Sequence, residues 1–447
     1  MFPNPQVALP LPPRPDVGQY RKLAKDLVKA CASGDPTAIG AWAERWLESL
    51  RRSRGEPLTE RVRNGMDRAA DEIEEFAVRK LTAGTRKCAL TDAQFVLARF
   101  HGFDSWPKLV AHVDALANAG SETADFEAAA DAIVAGDEAT LRRLLQTNRG
   151  LIRARSTREH RCTLLHYVSA NGVEGYRQET PPNAVRIAEI LLDAGAEVDA
   201  EADVYGGRCT TLGLVATSVH PFRAGVQDPL MQVLLDRGAN VNHPDMVGNR
   251  HSTIFGCLAN GRPEAADYLA QRGARLGLVE AAGVGRLDVV KTFFDERGRA
   301  KPDVEKSEVQ EALVYACGRG FEEVAAFLLD HGADLGAHDA HHQTALHHAA
   351  MGGKLGMVEL LIGRGALLEA RNEYGGTVLG QAVWSAAHGG DSDVYVAILE
   401  ALITAGAQVP KDHPPVNERV DAVLARHGCA SDPARHWFGE EPRKRKA

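Results

Sequence analysis

A short phrase, two apolar residues followed a few positions on by Gly-Ala and another apolar residue, returns six times between residues 191 and 409. It reads "LLDAGAEV" ending at Val198, "LLDRGANV" at Val241, "LAQRGARL" at Leu276, "LLDHGADL" at Leu335, "LIGRGALL" at Leu368 and "LITAGAQV" at Val409. Its glycines, Gly195, Gly238, Gly273, Gly332, Gly365 and Gly406, are spaced by 43, 35, 59, 33 and 41 residues. A recurrence of this period restricts the chain to stacked small units, each of which buries its apolar face only against its neighbours. A second spacing agrees: a glycine precedes an apolar residue by eight positions in Gly136/Leu144, Gly261/Leu269, Gly285/Phe293, Gly320/Leu328 and Gly353/Leu361. The wide gap of 59 residues therefore holds an eroded unit at 278–294. The array comes to about eight helix pairs plus a half-unit near 420–429.

The stretch "DAHHQTALHHAAMGGKLGMVELLIGRGALL" at 339–368 resembles the ankyrin repeat, and the likeness extends over the repeat region. Thr344, Ala345, Leu346 and His347 match that family's Thr-Pro-Leu-His turn, with alanine in place of proline. The turn residues would cap an inner helix, Ala349 and Ala350 would allow close helix packing, and Gly365 would end the outer helix in a left-handed conformation. The resemblance implies an all-α solenoid with short β-hairpin fingers. It also implies a binding scaffold for a protein or peptide partner, gripped by hairpin tips and inner-helix faces on the concave side. Around the best repeats the register puts His338, His341, Gln343, Met351, Arg371, Glu373 and Tyr374 there, with Gly318 and Arg319 one unit earlier.

Four segments are expected: an extended start at 1–16, a helical module at 17–121, the repeat array at 122–430 and a tail at 431–447. In the module Tyr20, Leu23, Leu27 and Cys31 share one helical face, and Ile39, Trp42, Trp46 and Leu50 share the next. Val62, Met66, Ile73, Phe76 and Leu81 mark a third helix. Thr91 with Gln94 reads as a capping box for a fourth ending at Gly102, and Pro107 falls in the first turn of a fifth. "LTDAQFVLARFHGFDSWPKLVAHV" is similar to a helical module that precedes ankyrin repeats in many bacterial proteins, and that likeness carries no chemistry.

With 44% hydrophobic and 25% charged residues the chain can bury a core, and 52 basic against 60 acidic residues argue against nucleic acid or an anionic membrane as partner. Seven scattered cysteines without a Cys-x-x-Cys pair read as reduced thiols. The proline-rich start lacks a secretion pattern, and no run approaches the roughly 18 apolar residues of a membrane span. A cytoplasmic location follows as the expectation. In the tail, Arg443 to Lys446 form a basic cluster, with Trp437 and Phe438 placed to pack back on the last half-unit.

Three repeats carry extra residues between their helices, at 173–183, 220–226 and 387–394. The first two lie in consecutive repeats and are expected side by side, presenting Glu174, Tyr176, Arg177, Gln178, Asn183, His220, Phe222, Arg223 and Gln227 as a binding surface. The competing class of function is an enzyme or small-ligand receptor there, with Glu174 or His220 as acid or base and Arg177 or Arg223 holding an anion. No nucleophile elbow, phosphate loop, His-Glu-x-x-His helix or dinucleotide glycine pattern occurs, so no enzyme, no cofactor and no metal is expected. Of the histidines 338, 341, 342, 347 and 348, His347 belongs to the turn and the tip histidines sit exposed.

Overall fold

The computed structural model describes residues 5–83, 87–118, 120–243 and 252–435. It falls into two compact units, Met1–Tyr268 and Leu269–Ala447. The expected tail residues Trp437, Phe438 and Arg443 to Lys446 lie outside the described residues.

Unit 1 opens with one 3-10 turn, Pro5–Val7, and a strap of extended chain. Five helices follow: α1 (Val17–Ala32), α2 (Ala38–Ser53), α3 (Glu60–Thr82), α4 (Leu90–Phe100) and α5 (Trp106–Leu116). Asp16 caps α1 by accepting a 2.7 Å bond from the Gly18 N–H, as a short acidic side chain at that position should. Leu27, Trp42, Trp46, Ile73, Leu81 and Leu97 converge in one core, so the apolar faces read from the pattern are the buried ones. The expected capping box of α4 is absent. That helix begins at Leu90, which puts Thr91 inside the first turn, and Ala89 caps it without a side-chain bond. The cysteines also differ from expectation: Cys31 of α1 and Cys88, in the connection from α3 to α4, form a disulfide. Packing of α1 and α3 against α4 brings the two backbones to 5.7 Å, inside the range a disulfide needs.

The helix pairs begin with α6 (Glu122–Ala135) and α7 (Glu138–Thr147), separated by Gly136 at φ +71°. In the next pair the inner helix is a 3-10 segment, Leu164–Ser169, and the outer one is α8 (Ala184–Asp193). A small finger, β1 (Glu201–Ala202) antiparallel to β2 (Cys209–Thr210), leads to α9 (Thr211–Thr217) and α10 (Val219–Arg223), with α11 (Gln227–Asp236) as the outer helix. Then come α12 (Thr253–Ala259) and α13 (Pro263–Gln271).

Unit 2 continues with α14 (Leu278–Gly283) and α15 (Leu287–Lys291) in the stretch that the wide spacing left for an eroded repeat. Three pairs follow: α16 (Lys306–Arg319) with α17 (Glu322–Asp330), α18 (Ala345–Met351) with α19 (Leu355–Gly363), and α20 (Val378–Ala387) with α21 (Ser392–Thr404). A last helix, α22 (Glu418–Arg426), is flanked by the parallel pair β3 (Asp412–His413) and β4 (Ala430–Ser431). The third insertion is absorbed by the helices, since α20 and α21 run to 10 and 13 residues where α18 and α19 have 7 and 9. Among the described residues no helix is long and apolar enough to cross a membrane.

Candidate functional site

In unit 1 the first insertion turns inward. Ser169 Oγ bonds the carbonyls of His166 and Asn171, holding Ala170 at φ +46° and swinging the chain from the 3-10 segment toward the core. Glu174 is wholly buried and Arg177 nearly so. They join Glu127 of α6 and Arg158 in one ion cluster. Arg177 Nη1 donates to Glu127 Oε2 at 2.8 Å, Arg158 Nη1 to Glu127 Oε1 at 2.5 Å, and Arg158 Nη1 lies 3.0 Å from Glu174 Oε1. Asp131 accepts from Arg177 Nε at 2.8 Å, and Tyr176 accepts from Arg158 Nη2 at 3.2 Å. Burial opposes ionisation of both glutamates, but the two guanidiniums prevail: Glu127 is drawn down to about 2 and Glu174 well below the carboxylate range. Arg177 thus spends its hydrogen bonds on α6 and on Glu174, and Glu174 is held among Arg158, Arg177 and Tyr167, not in solvent. Asn183 is likewise structural, donating to the Gly136 carbonyl at 2.9 Å and to Glu138 at 3.1 Å.

The strap at the start of the chain covers this insertion. Its Gln6 carbonyl lies where a side chain on residue 175 would sit, so only glycine fits there. Leu9 N–H donates to the Phe100 carbonyl at 2.6 Å, and His101 Nδ1 bonds the Leu9 carbonyl at 3.0 Å.

The second insertion forms α10, which leaves Phe222 and Arg223 exposed. Gln227 is buried, its amide donating to the carbonyls of Val215, Ala216 and Ser218 at 2.9–3.2 Å, so it pins the insertion from below. His220 is half-buried and its pKa is lowered, first by burial and then by Arg223. Arg262 stacks over the Phe222 ring at 4.5 Å. Between the insertions opens a cleft of about 670 Å³, which Gln178, His220 and Arg262 line together with Asn171, Tyr205 and Asn260. The two insertions do meet at one cavity, but Glu174 and Arg177 are not among its walls. Arg262, Asn171 and Tyr205 were not singled out from sequence: they lie outside both insertions, and only the fold brings them there.

Unit 2 holds the second group of expected contact residues. The turn Thr344 to His347 forms a reciprocal cap: His347 Nδ1 accepts the Thr344 N–H at 3.2 Å, so Nε2 carries the hydrogen and points at the Gly376 carbonyl, 3.4 Å away. The same device stands in unit 1, where Thr163 pairs with His166 and its Nε2 reaches the Cys209 carbonyl at 3.3 Å. "TLLH" at 163–166 was the readable signal for it. Above the turn, Asp339 accepts from the N–H groups of His341 and Gln343 at 2.9 and 2.8 Å and from His348 Nε2 at 2.9 Å. Although burial opposes it, His348 and the Gln343 N–H draw Asp339 down to about 2. Neighbouring tips are bonded together, Glu373 N–H to the His341 carbonyl at 2.9 Å and His341 Nδ1 to Glu373 Oε1 at 2.6 Å. Arg371 ties its own tip through the Gly375 carbonyl at 2.7 Å. His338 stays exposed, its ring 4.7 Å from that of His342.

These tips are therefore rigid, and they carry exposed apolar groups in register. His341 and Tyr374 are 33 residues apart, as are Gly318, Met351 and Trp384 on the inner helices α16, α18 and α20. Met351, Tyr374 and Trp384 are all exposed, and Trp384 stacks on His388 at 4.1 Å. Trp384 was missed in the sequence, although one further step of the repeat from Met351 reaches it. Among the described residues, no group of three or more histidine, cysteine, aspartate or glutamate side chains could hold a metal ion.

Paired helices joined by bonded tips, with inner helices that differ in their exposed residues from repeat to repeat, define a helical-repeat protein. Residues 278–372 match the family model for ankyrin repeats, in three copies. A curated relative, the probable 26S proteasome regulatory subunit p28 of Saccharomyces cerevisiae, is 36% identical over 123 residues, which cover 27% of this chain and 51% of that protein. The chain thus spans about half the length of the curated relative it matches. Residues 278–372 are thus similar to ankyrin repeats, in the stretch that carries α14 to α19.

Proposed function

We propose that the chain is a protein-binding scaffold, an adaptor and not a catalyst, whose contact surface in unit 2 is the ledge of bonded tips and inner helices from α16 to α20. The supporting observation is the 33-residue ladder that leaves Met351 and Trp384 exposed beside His341, Glu373 and Tyr374. Exposed aromatic and methionine side chains on a preorganised backbone are the kind that dominate interface energetics, because little entropy remains to be lost on binding. A protein or peptide partner in the cytoplasm fits this reading. So does the likeness to the yeast relative, a probable proteasome regulatory subunit. The overall charge of −8 disfavours a polyanionic partner.

The test compares capture of proteins from cell extract by the natural chain, by Tyr374→Ala/Trp384→Ala and by His341→Ala/Tyr374→Ala, each with its fold checked by circular dichroism. A protein held by the natural chain and lost by both double variants supports the ledge. Equal capture by all three sinks it.

A further inference from the structure

Among the described residues of unit 1 three sizeable clefts stand out, and their charges differ. The one between α1 and α2 sets Asp26 and Asp35 against Lys29 and Arg45. Another, beside the strap, sets Asp104, Glu159 and Asp203 against Lys108, Arg158 and Arg161. The cleft between the insertions has no carboxylate among its described residues, yet Arg262 and His220 line it. In a chain with more acidic than basic residues this is a local reversal of sign. Arg262 has no ion pair among the described residues, and its guanidinium carbon lies 4.5 Å from the centre of the Phe222 ring.

The remaining surface is built for a polar, closely approaching molecule. Gly213 and Gly256 keep the floor free of side chains, and Ala170 adds only a methyl group. Asn171 and Tyr205 are locked in one hydrogen-bonded run: Gln6 donates to the Tyr205 oxygen at 2.6 Å, Tyr205 to Asn171 Oδ1 at 2.7 Å, and Asn171 to Thr217 Oγ1 at 3.1 Å. Ala170 and Tyr205 both hold left-handed backbone, at φ +46° and +50°, a strain kept only where the surroundings over-determine it. Gln178 and Asn260 offer amide groups at the walls. A cavity of this volume lies within the range that takes small ligands.

We propose that this cleft binds a ligand through a single carboxylate, which the fork of Arg262 grips with a hydrogen bond from the His220 imidazole, while the amide and hydroxyl walls take the polar body. One guanidinium fork matches one planar carboxylate, whereas a phosphate dianion would call for more positive charge than the cleft holds. Phe222 acts through Arg262 as a positioning residue. The carboxylate comes either from a free small acid or from the C-terminus of a peptide. The site is separate from the ledge of unit 2, and its failure would leave the scaffold reading standing.

Calorimetric titration of the full chain tests this with three probes: acetylated tetraalanine with a free carboxylate, the same peptide with a C-terminal amide, and succinate. Binding of the free-acid peptide but not its amide supports a peptide terminus; binding of succinate without the peptide supports a free acid. In either case Arg262→Gln should weaken binding about tenfold or more and Phe222→Ala should weaken it less, with Arg262→Lys restoring part of the loss. Arg262 is anchored by its backbone N–H on the Cys257 carbonyl and by its guanidinium on the Gly261 carbonyl and the Phe222 ring, contacts local to this corner of the cleft, so Arg262→Gln should keep the circular dichroism of the natural chain. No binding by either acid at millimolar concentration, equal binding of acid and amide, or an Arg262→Gln variant that binds unchanged would overturn the proposal.

Discussion

His101, His112 and His166 in unit 1 are each held near a pKa of about 4, chiefly by burial. In the unfolded chain a histidine titrates near about 6.5, so the unfolded state binds more protons than the folded one between those values. Their contribution to stability is fully present above about pH 6.5 and is lost as the pH falls toward 4. Each such histidine should lower the unfolding free energy by up to about 1.4 kcal/mol per pH unit in that window. Urea unfolding at pH 7.5, 6 and 5 would show it; a flat profile would mean that these rings are hydrated. The ion cluster makes a sharper prediction. Arg177→Met removes one cation from a buried set with two glutamates and should cost about 3–5 kcal/mol, because Glu127 and Glu174 are left under-compensated. A loss below about 1 kcal/mol would show that the cluster is open to water. Nothing in the local pattern announces this cluster. Glu174 and Arg177 sit in an insertion of polar character, and their partners Glu127, Asp131 and Arg158 come from the preceding repeat.

At the scale of elements the sequence was most legible where chemistry repeats. Leu328 and Leu361 fall at equivalent steps of the register and both are wholly buried. Replacing either by alanine should cost about 2–5 kcal/mol, read as a drop in the denaturation midpoint. The register also located α14 and α15 in a stretch whose own repeat phrase has worn away. It was less informative about the insertions, because extra length alone does not say whether residues loop outward, lengthen helices as at α20 and α21, or fold under as at Gly175–Arg177. That choice depends on what covers them, and the strap that covers the first lies about 170 residues earlier in the sequence. A consequence can be checked directly. Gly175→Val must push the Gln6 carbonyl away, so the strap should become susceptible to limited proteolysis while the helix content stays.

The disulfide belongs to a larger scale, since Cys31 and Cys88 are 57 residues apart and share no spacing motif that a reader of sequence could use. Closing a loop of that length is worth about 4 kcal/mol in the chain-entropy account. Cys31→Ser should therefore lower stability by up to that amount under oxidising conditions and change it little in the presence of a strong reductant. Equal stability with and without reductant in the natural chain would mean that the thiols remain apart. The long-range contacts of the strap are wider still: Gln6 reaches Tyr205 across 199 positions.

That contact sets an order of events in synthesis. Residues 5–9 leave the ribosome well before their seat is complete, since that seat is made of Phe100, Gly175 and Tyr205, the last of which is translated some two hundred residues later. The module from α1 to α5 can collapse early on its own local contacts, but the strap must wait, unlatched, until the second and third repeats have emerged. A segment made long before its seat is thus among the last parts of unit 1 to find its place, and a chain halted before Tyr205 would carry a loose strap that the finished protein tucks away.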